Sequence, residues 1–338
     1  MAQIVCGLAL SHGPLLTIRP VDWDLRVQFD RANTQLPFQL RSYTFDELAA
    51  RRTAENLDDQ CNMEERTRRQ QACHAALDRL AMGFASAAAD AAVIIGNDQE
   101  EMYLDDVKPA LAVFSGERLE NSPATPAQVA RMQPGIHLAE PGHKLPENVV
   151  YPGLPALGQH IIRESMAAGF DVAQSLRVPR HADGWTQGLP HALGFVYRQV
   201  MRDEVIPNVP VLINTFYPPN QPTAKRCYHF GRAIGRAIAR WPAQSRIALV
   251  ASGGLSHFVI DEDLDRRVMD AMRTGDAATL IGMDEAYFES GTSEIKNWIV
   301  AAGVLAETTL RCDYDDYVPC YRSAAGTGQG MGFMSWVE

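Results

Sequence analysis

The sequence is poor in cysteine and lacks any long hydrophobic segment. Six of its 338 residues are cysteine, and no two of them form a CxxC pair. In a chain of this length, such spacing indicates reduced thiols rather than a disulfide framework. No apolar run approaches the roughly 20 residues that span a bilayer, and the start, MAQIVCGLALSHGP, has no basic region typical of a signal peptide. We therefore expect a soluble, cytoplasmic protein without a membrane partner.

Positive charge is also scarce. The chain has 31 Lys and Arg against 41 Asp and Glu, and its net charge is −10 at pH 7. A general nucleic-acid binder needs a basic face to neutralise phosphates, so we expect no nucleic-acid partner. The sequence has no internal repeat, and its 46% hydrophobic content is typical of globular, core-forming proteins. Disordered, coiled-coil and collagen-like classes are thereby excluded, and one large domain or two tightly fused ones remain.

Short apolar segments alternate with helical patterns along most of the chain. Segments rich in Val, Ile and Leu without polar alternation are typical of strands covered on both faces, and the sequence predicts five: Ile4–Leu10, Ala91–Gly96, Ala110–Phe114, Val209–Asn214 and Arg246–Ser252. Helical patterns fall at about 63–88, 155–168, 191–203, 222–240, 261–273 and 293–308. This alternation predicts an α/β fold with a mostly parallel central sheet flanked by helices, as a single domain with insertions over residues 1–338.

Two stretches interrupt this alternation. Residues 15–62 carry scattered aromatic side chains and form either a lid over a functional site or a surface excursion. Residues 115–152 are rich in Pro and Gly and are predicted as a long loop, a feature that is often functional in a compact domain.

Polar side chains follow four of the predicted strands, at the point where each strand ends. In open α/β sheets, ligands bind beyond the carboxyl ends of the strands. One His at such a position is more often structural, but two at the ends of different strands indicate a functional site. The four polar segments are Ser11–Gly13, Asn97–Glu101, Asn214–Tyr217 and Gly253–His257.

Two further residues join these candidates. His191 begins a predicted helix, where the helix N-terminus is expected to lower its pKa towards a range suited to proton transfer. A histidine that only hydrogen-bonds the loop is an equal alternative. Glu294 lies in the first turn of another helix, where it is either a favourable N-terminal carboxylate or a buried metal ligand.

Taken together, these segments resemble the class III extradiol ring-cleaving dioxygenases, which include the protocatechuate 4,5-dioxygenase catalytic subunit. The resemblance runs in the family's order through Ser11–Pro14, Asn97–Gln99, Pro190–Ala192, Ser252–His257 and Gly291–Glu294. Two further segments, Asn214–Pro222 and Pro319–Gly328, resemble the 3-O-methylgallate dioxygenase branch most closely.

This resemblance implies a non-haem Fe(II) held by two His and one carboxylate. The first imidazole falls on His12, the carboxylate on Glu294, and two acid/base histidines on His191 and His257. The family's second imidazole ligand should follow Asn97-Asp98, where this chain has Gln99. Three readings follow: Gln99 is a ligand, Asp98 or Glu101 replaces it, or the metal site is lost.

The resemblance also implies the substrates, which are O2 and a catecholic aromatic acid similar to methylgallate, gallate or protocatechuate. Tyr217, Asn220 and Arg322 are the implied substrate-binding residues, and Lys296 is a second candidate partner for the acidic group. We expect a homodimer, in which the 15–62 insertion and a C-terminal segment, 310–338, supply the cover that a separate small subunit gives some relatives. Two alternatives are another reaction on a phenolic or heteroaromatic ring, with a different metal or none, and a degenerate partner subunit.

Overall fold

A computed structural model describes residues 1–180 and 188–338 of the chain. The strands, in chain order, are β1 Gln3–Leu10, β2 Leu36–Phe38, β3 Arg41–Tyr43, β4 Ala91–Asn97, β5 Leu111–Phe114, β6 Arg118–Asn121, β7 Val149–Pro152, β8 Ala173–Ser175, β9 Asn208–Ile213, β10 Arg246–Ser252, β11 Arg311–Tyr321 and β12 Gly328–Val337.

Six helices agree with the predicted helical segments to within a few residues. The helices are α1 Asp24–Ala32, α2 Phe45–Arg51, α3 Met63–Ser86, α4 Pro126–Val129, α5 Pro155–Ala167, α6 His191–Phe195, α7 Ala224–Arg240, α8 Glu262–Thr274, α9 Ala277–Gly282 and α10 Ile295–Leu305, of which α1, α2, α4 and α9 were not predicted. A π-helical turn, Val196–Val200, continues α6. Within the described residues, no helix is long and apolar enough to cross a bilayer.

Eight strands form the central sheet in the order β11-β12-β1-β10-β4-β9-β5-β8. β1, β10, β4 and β9 run parallel to one another and confirm the predicted parallel core of the sheet. β5 runs antiparallel to β9, and the β11–β12 hairpin extends the sheet antiparallel to β1. The segment 310–338 therefore contributes two strands to the sheet that the sequence pattern does not indicate.

The two faces of the sheet bury two separate cores, which explains why the central strands lack polar alternation. In β4, Val93 and Ile95 pack into the core that contains α7 and α10, whereas Ala92 and Ile94 pack into the core that contains α3. Every residue of β4 is buried. Apolar side chains on both faces are typical of parallel strands with helices on each side.

The 15–62 insertion packs beside the loop that follows β10. Leu36 and Phe38 of its small hairpin form a minor core with Val259 and Ala325. Asp30 of α1, completely buried, accepts hydrogen bonds from Nε and Nη2 of Arg322, at 2.7 and 2.6 Å. Bidentate, charge-assisted pairs of this kind fix geometry strongly. The insertion is therefore anchored to the turn between β11 and β12.

The 115–152 segment is more ordered than the predicted loop. β6 and β7 pair antiparallel within it, from Arg118–Pro152 to Asn121–Val149. The prediction of one continuous loop is wrong at these two strands, because their short lengths and the Pro and Gly around them obscure the strand pattern.

Candidate metal centre and catalytic residues

His12 and Glu294 meet at the carboxyl end of the sheet. His12 lies two residues after β1, and Glu294 ends the turn that leads into α10. Both side chains are almost completely buried, and His12 Nε2 lies 3.1 Å from Glu294 Oε2. His12 Nδ1 forms a hydrogen bond with Ser252 Oγ at 2.9 Å, whereas the contact of Nε2 with Glu294 does not have hydrogen-bond geometry, so Nε2 has no hydrogen-bond partner within the described residues. A buried imidazole nitrogen without a partner is unusual and points to a ligand-binding role.

The carboxylate of Glu294 faces the site rather than capping α10. Its Oε1 accepts hydrogen bonds from Asn97 Nδ2 at 3.1 Å and Gln99 Nε2 at 2.8 Å, and its Oε2 accepts one from the Gly254 N–H at 2.6 Å. Burial opposes ionisation, yet the close contact with His12, together with the nearby His257 and His191, holds the pKa of Glu294 well below its usual range. The site therefore holds an anionic carboxylate.

His191 joins this pair through α6. Its ring centroid lies 4.6 Å from that of His12, with the two rings nearly perpendicular. Its Nδ1 lies 2.9 and 3.0 Å from the two carboxylate oxygens of Glu101, and its backbone N–H donates to the same carboxylate at 2.9 Å. Glu101 thus holds a hydrogen on Nδ1, so Nε2 is the nitrogen that can bind a ligand once it has lost its own hydrogen.

The expectation of a lowered pKa for His191 is wrong. Burial alone would lower it, but the charge of Glu101 and its hydrogen bond raise the pKa of His191 to about 9. For Glu101, burial favours a higher pKa, and the contacts with His191 lower it to about 2. The carboxylate therefore outweighs the helix N-terminus, because it is buried in direct contact with the ring.

His12, His191 and Glu294 form a cluster that is suited to a metal ion. One ligand atom from each residue lies within 4.8 Å of the other two. Two imidazoles and one carboxylate are the donor set of non-haem Fe(II) sites that leave positions open for other ligands. The unpartnered Nε2 of His12 fits the same interpretation. We refer to these three residues as the His–His–Glu cluster.

His257 lies beside this cluster with its ring held in one orientation. Its Nδ1 contacts the carbonyl oxygen of Leu255 at 2.7 Å, so this nitrogen carries the hydrogen. Its Nε2 lies 3.9 Å from Glu294 Oε2. The hydroxyl of Thr292 accepts from the His257 N–H and donates to its carbonyl, which fixes the backbone. Burial lowers the pKa of His257, so the ring is a neutral proton acceptor.

Gln99 contacts this centre directly, whereas Asp98 shapes the loop that carries Gln99. Gln99 donates its amide N–H to Glu294. Asp98 accepts backbone hydrogen bonds from Glu101, Met102 and Tyr103, and therefore closes the turn after β4. Burial, together with the charge of Glu101, raises the pKa of Asp98 to about 7.

The predicted substrate-binding residues lie in several places. Tyr217 lines a small cavity with Asp98, Tyr103 and Lys108. Asn220 accepts from Asn214 and donates to the Lys108 carbonyl, so it supports the wall of this cavity.

The two candidate partners of an acidic substrate group are already paired. Arg322 forms its bidentate contact with Asp30, and Lys296 lies 3.0 Å from Glu285. The structure therefore places both cations in ion pairs of this chain.

His143 lies next to the site without a signal in the sequence. Its ring centroid is 6.0 Å from that of His191. Burial and the charge of His191 lower its pKa to about 3, so the ring is neutral. Because His143 lies in the 115–152 segment without a companion motif, only the fold brings it here.

Comparison with known proteins identifies the family. The model of the catalytic LigB subunit of aromatic ring-opening dioxygenases matches residues 110–326, more than half of the chain. The chain belongs to this family. The matched part of the LigB-family chain includes His191, His257 and Glu294, and His12 and Gln99 precede it.

Two individual proteins are similar to this LigB-family chain. Gallate dioxygenase of Pseudomonas putida is 34% identical over 115 residues, which cover 29% of this chain and 32% of that protein. The chain thus matches about a third of the length of this curated relative. A crystal structure of an uncharacterized Escherichia coli K12 protein is 12% identical with a TM-score of 0.45, and the comparison covers 98% of this chain and 99% of that one.

Proposed function

We propose that this protein is an Fe(II)-dependent extradiol dioxygenase that opens the ring of a catecholic aromatic acid with O2. The observation that carries the proposal is the His–His–Glu cluster at the carboxyl end of a parallel sheet, with His12 and Glu294 buried and His191 partly exposed, in a chain of the LigB family. A cluster with one unpartnered imidazole nitrogen and an ionised carboxylate argues against a degenerate subunit, in which such costly burial has no function.

His12, His191 and Glu294 are the proposed ligands of the metal. Ser252 orients the first imidazole and Glu101 the second, as partners that fix the tautomer of metal-bound histidines commonly do. Bound Fe(II) would supply a Lewis acid for both oxygens of the substrate and would exchange electrons with O2. The resemblance to the family places His191 among the acid/base residues, but its contact with Glu101 and its place in the cluster favour a ligand role.

His257 is the proposed acid/base residue. Its neutral ring presents Nε2 towards the cluster, where it can take a proton from a substrate hydroxyl. The Leu255 carbonyl and Thr292 hold the ring in place, so no reorganisation precedes the transfer. The protonated ring can then return this proton to an oxygen of the product.

The proposed substrates are gallate, its O-methyl derivatives and protocatechuate. The similarity to a gallate dioxygenase supports a ring with several oxygen substituents, and the segments Asn214–Pro222 and Pro319–Gly328 support the 3-O-methylgallate branch. We further propose that the chain acts as one domain in a homodimer. The 15–62 insertion and the 310–338 segment would cover the site, since the insertion is anchored through Asp30 and Arg322.

Anaerobic reconstitution with Fe(II) tests the proposal. After O2 is admitted, we expect oxygen uptake and a yellow ring-fission product with at least one of protocatechuate, gallate and the methylated gallates. Protein treated with a chelator and left without metal is the control. Normal iron binding without oxygen uptake on any catechol would contradict the proposed activity.

A pair of variants distinguishes His191 from Gln99 as the third ligand. Glu101→Gln removes the charge that orients His191, so we expect Fe(II) affinity to fall about 10- to 100-fold. Gln99→Ala removes a hydrogen bond to Glu294 but no ligand, and should weaken binding much less. Metal titration of both variants and the unmodified protein measures the difference. If Gln99→Ala shows the larger loss, Gln99 is the ligand.

A further inference from the structure

Two glycines beside the candidate centre leave room for one buried amide, that of Gln329. Gly13 directly follows His12, and Gly254 lies in the loop between β10 and His257. A Cβ at position 13 would lie 1.4 Å from Gln329 Oε1, and a Cβ at position 254 would lie 2.7 Å from Gln329 Nε2. Any side chain at these two positions would therefore displace the amide.

The amide of Gln329 lies between the loop that follows β1, which carries Gly13, and the loop that follows β10, which carries Gly254. The position of a Cβ at Gly254 is also only 2.3 Å from Cε1 and 2.6 Å from Nδ1 of His257, so Gln329 lies against this ring. Gly254 donates its N–H to Glu294, which borders the same space. Gln329, the second residue of β12, therefore lies beside Gly13 and the His257 ring, at the end of the sheet where His12 and Glu294 meet.

This amide is almost buried but has no protein partner. Gln329 is 3% exposed, its side chain makes no hydrogen bond with the part of the chain that the structure describes, and its amide atoms keep a small contact with solvent. Buried amides are nearly always hydrogen-bonded, because the loss of their hydration is otherwise uncompensated. An amide that lacks a partner beside a candidate active site indicates that a ligand supplies the partner.

We propose that Gln329 binds an oxygen substituent of the aromatic ring adjacent to the two oxygens that the centre activates. This inference rests on the proposed function. An amide offers both a donor and an acceptor, so it can pair with a hydroxyl and, through its N–H, with a methoxy oxygen. The proposed metal centre and His257 interact with two adjacent ring oxygens, so the amide of Gln329 is available to bind a third.

A binding role for Gln329 distinguishes rings with three adjacent oxygen substituents from rings with two. A ring with three adjacent oxygen substituents would pair with the amide, whereas a bound ring with two would exclude solvent from the amide without pairing with it. A site built to hydrogen-bond a hydroxyl rejects an analogue without one, because its own polar group is then unpartnered. Gallate and its O-methyl derivatives therefore fit better than protocatechuate.

Gallate and protocatechuate provide the test, because they share the carboxylate and differ in one hydroxyl. Gln329→Met keeps the length of the side chain and removes the amide. We expect its dissociation constant for gallate, measured anaerobically with Fe(II)-loaded protein, to rise about 3- to 10-fold, and that for protocatechuate to change little. The KM values in air should follow the same pattern. Metal content should stay unchanged.

Two further variants make the result decisive. Gln3→Met makes the same replacement at the opposite end of the sheet and should leave both constants unchanged. Gln329→Glu replaces the neutral amide with a carboxylate and should weaken gallate binding more than Gln329→Met does, so it tests the site if the Met variant is unstable.

If the dissociation constants for gallate and protocatechuate change equally in both Gln329 variants, the role of Gln329 is structural. That result would overturn this inference and leave the proposed function intact. Failure of the unmodified, metal-loaded protein to bind either ring would overturn the proposed function and the inference with it.

Discussion

Replacing His12, His191 or Glu294 with alanine is expected to abolish tight Fe(II) binding and ring cleavage together. Each residue supplies one of three proposed protein ligands, and their ligand atoms lie within 4.8 Å of one another. Removal of Glu294 also takes away the buried carboxylate that lies 3.1 Å from His12 Nε2. Iron content after anaerobic reconstitution and oxygen uptake with gallate measure the two losses.

The control for this prediction is a histidine outside the centre. His160 of α5 contacts the Ala237 carbonyl at 2.9 Å and lies on the far side of the α7 core, so His160→Ala should retain iron and activity. Folding of every variant is checked by its circular dichroism spectrum and melting temperature. Normal iron content in correctly folded His12→Ala and Glu294→Ala proteins would refute the proposed centre.

The parallel core of the sheet could be predicted because its strands are short, apolar and buried on both faces. β4, with the sequence AAVIIGN, is such a segment, and no other assignment suits its length between Asp90 and Asp98. The position of His12 and His257 beyond strand ends follows from the general placement of ligands in α/β sheets. The parallel core and the positions of these two histidines follow from the local sequence pattern and the direction of the strands alone.

The C-terminal hairpin could not be predicted in this way. β12 contains three glycines in its sequence GQGMGFMSWV, and glycine weakens a strand pattern because it has no side chain to pack. The fold supplies the reason for two of them. A Cβ at Gly330 would lie 2.0 Å from Asp265 Oδ2, and a Cβ at Gly332 would lie 2.7 Å from Leu255. These glycines permit close packing that only the tertiary structure shows.

Partners within the site also depend on the fold. Asp30 and Arg322 are 292 residues apart, and the fold of the insertion brings them together. From the sequence alone, Arg322 is therefore a cation without an identified partner. Glu101 follows a strand end and was one of several candidate ligands, but its contact with His191 depends on how α6 packs beside β4. Local spacing identifies the chemistry of a side chain, not the group that neutralises it.

The second large effect is expected at His257. His257→Ala should lower kcat about 10²- to 10⁴-fold, the usual range for loss of a general acid or base, while iron content stays close to that of the unmodified protein. The reason is its geometry: Nδ1 is occupied by the Leu255 carbonyl, and Nε2 faces Glu294 at 3.9 Å without joining the cluster. Steady-state rates and metal analysis of the same preparation measure both quantities.

A catechol that ionises more readily separates proton transfer from other roles of His257. A nitro substituent makes the ring hydroxyl more acidic, so the anion forms with less help from a base. If His257 accepts this proton, 4-nitrocatechol should lose less affinity than gallate in anaerobic binding to His257→Ala. His229→Ala, on the exposed face of α7, is the matched control and should bind both rings normally. Loss of iron from His257→Ala, at the level seen for His12→Ala, would instead make His257 a ligand, because removal of a base leaves the metal-binding groups intact.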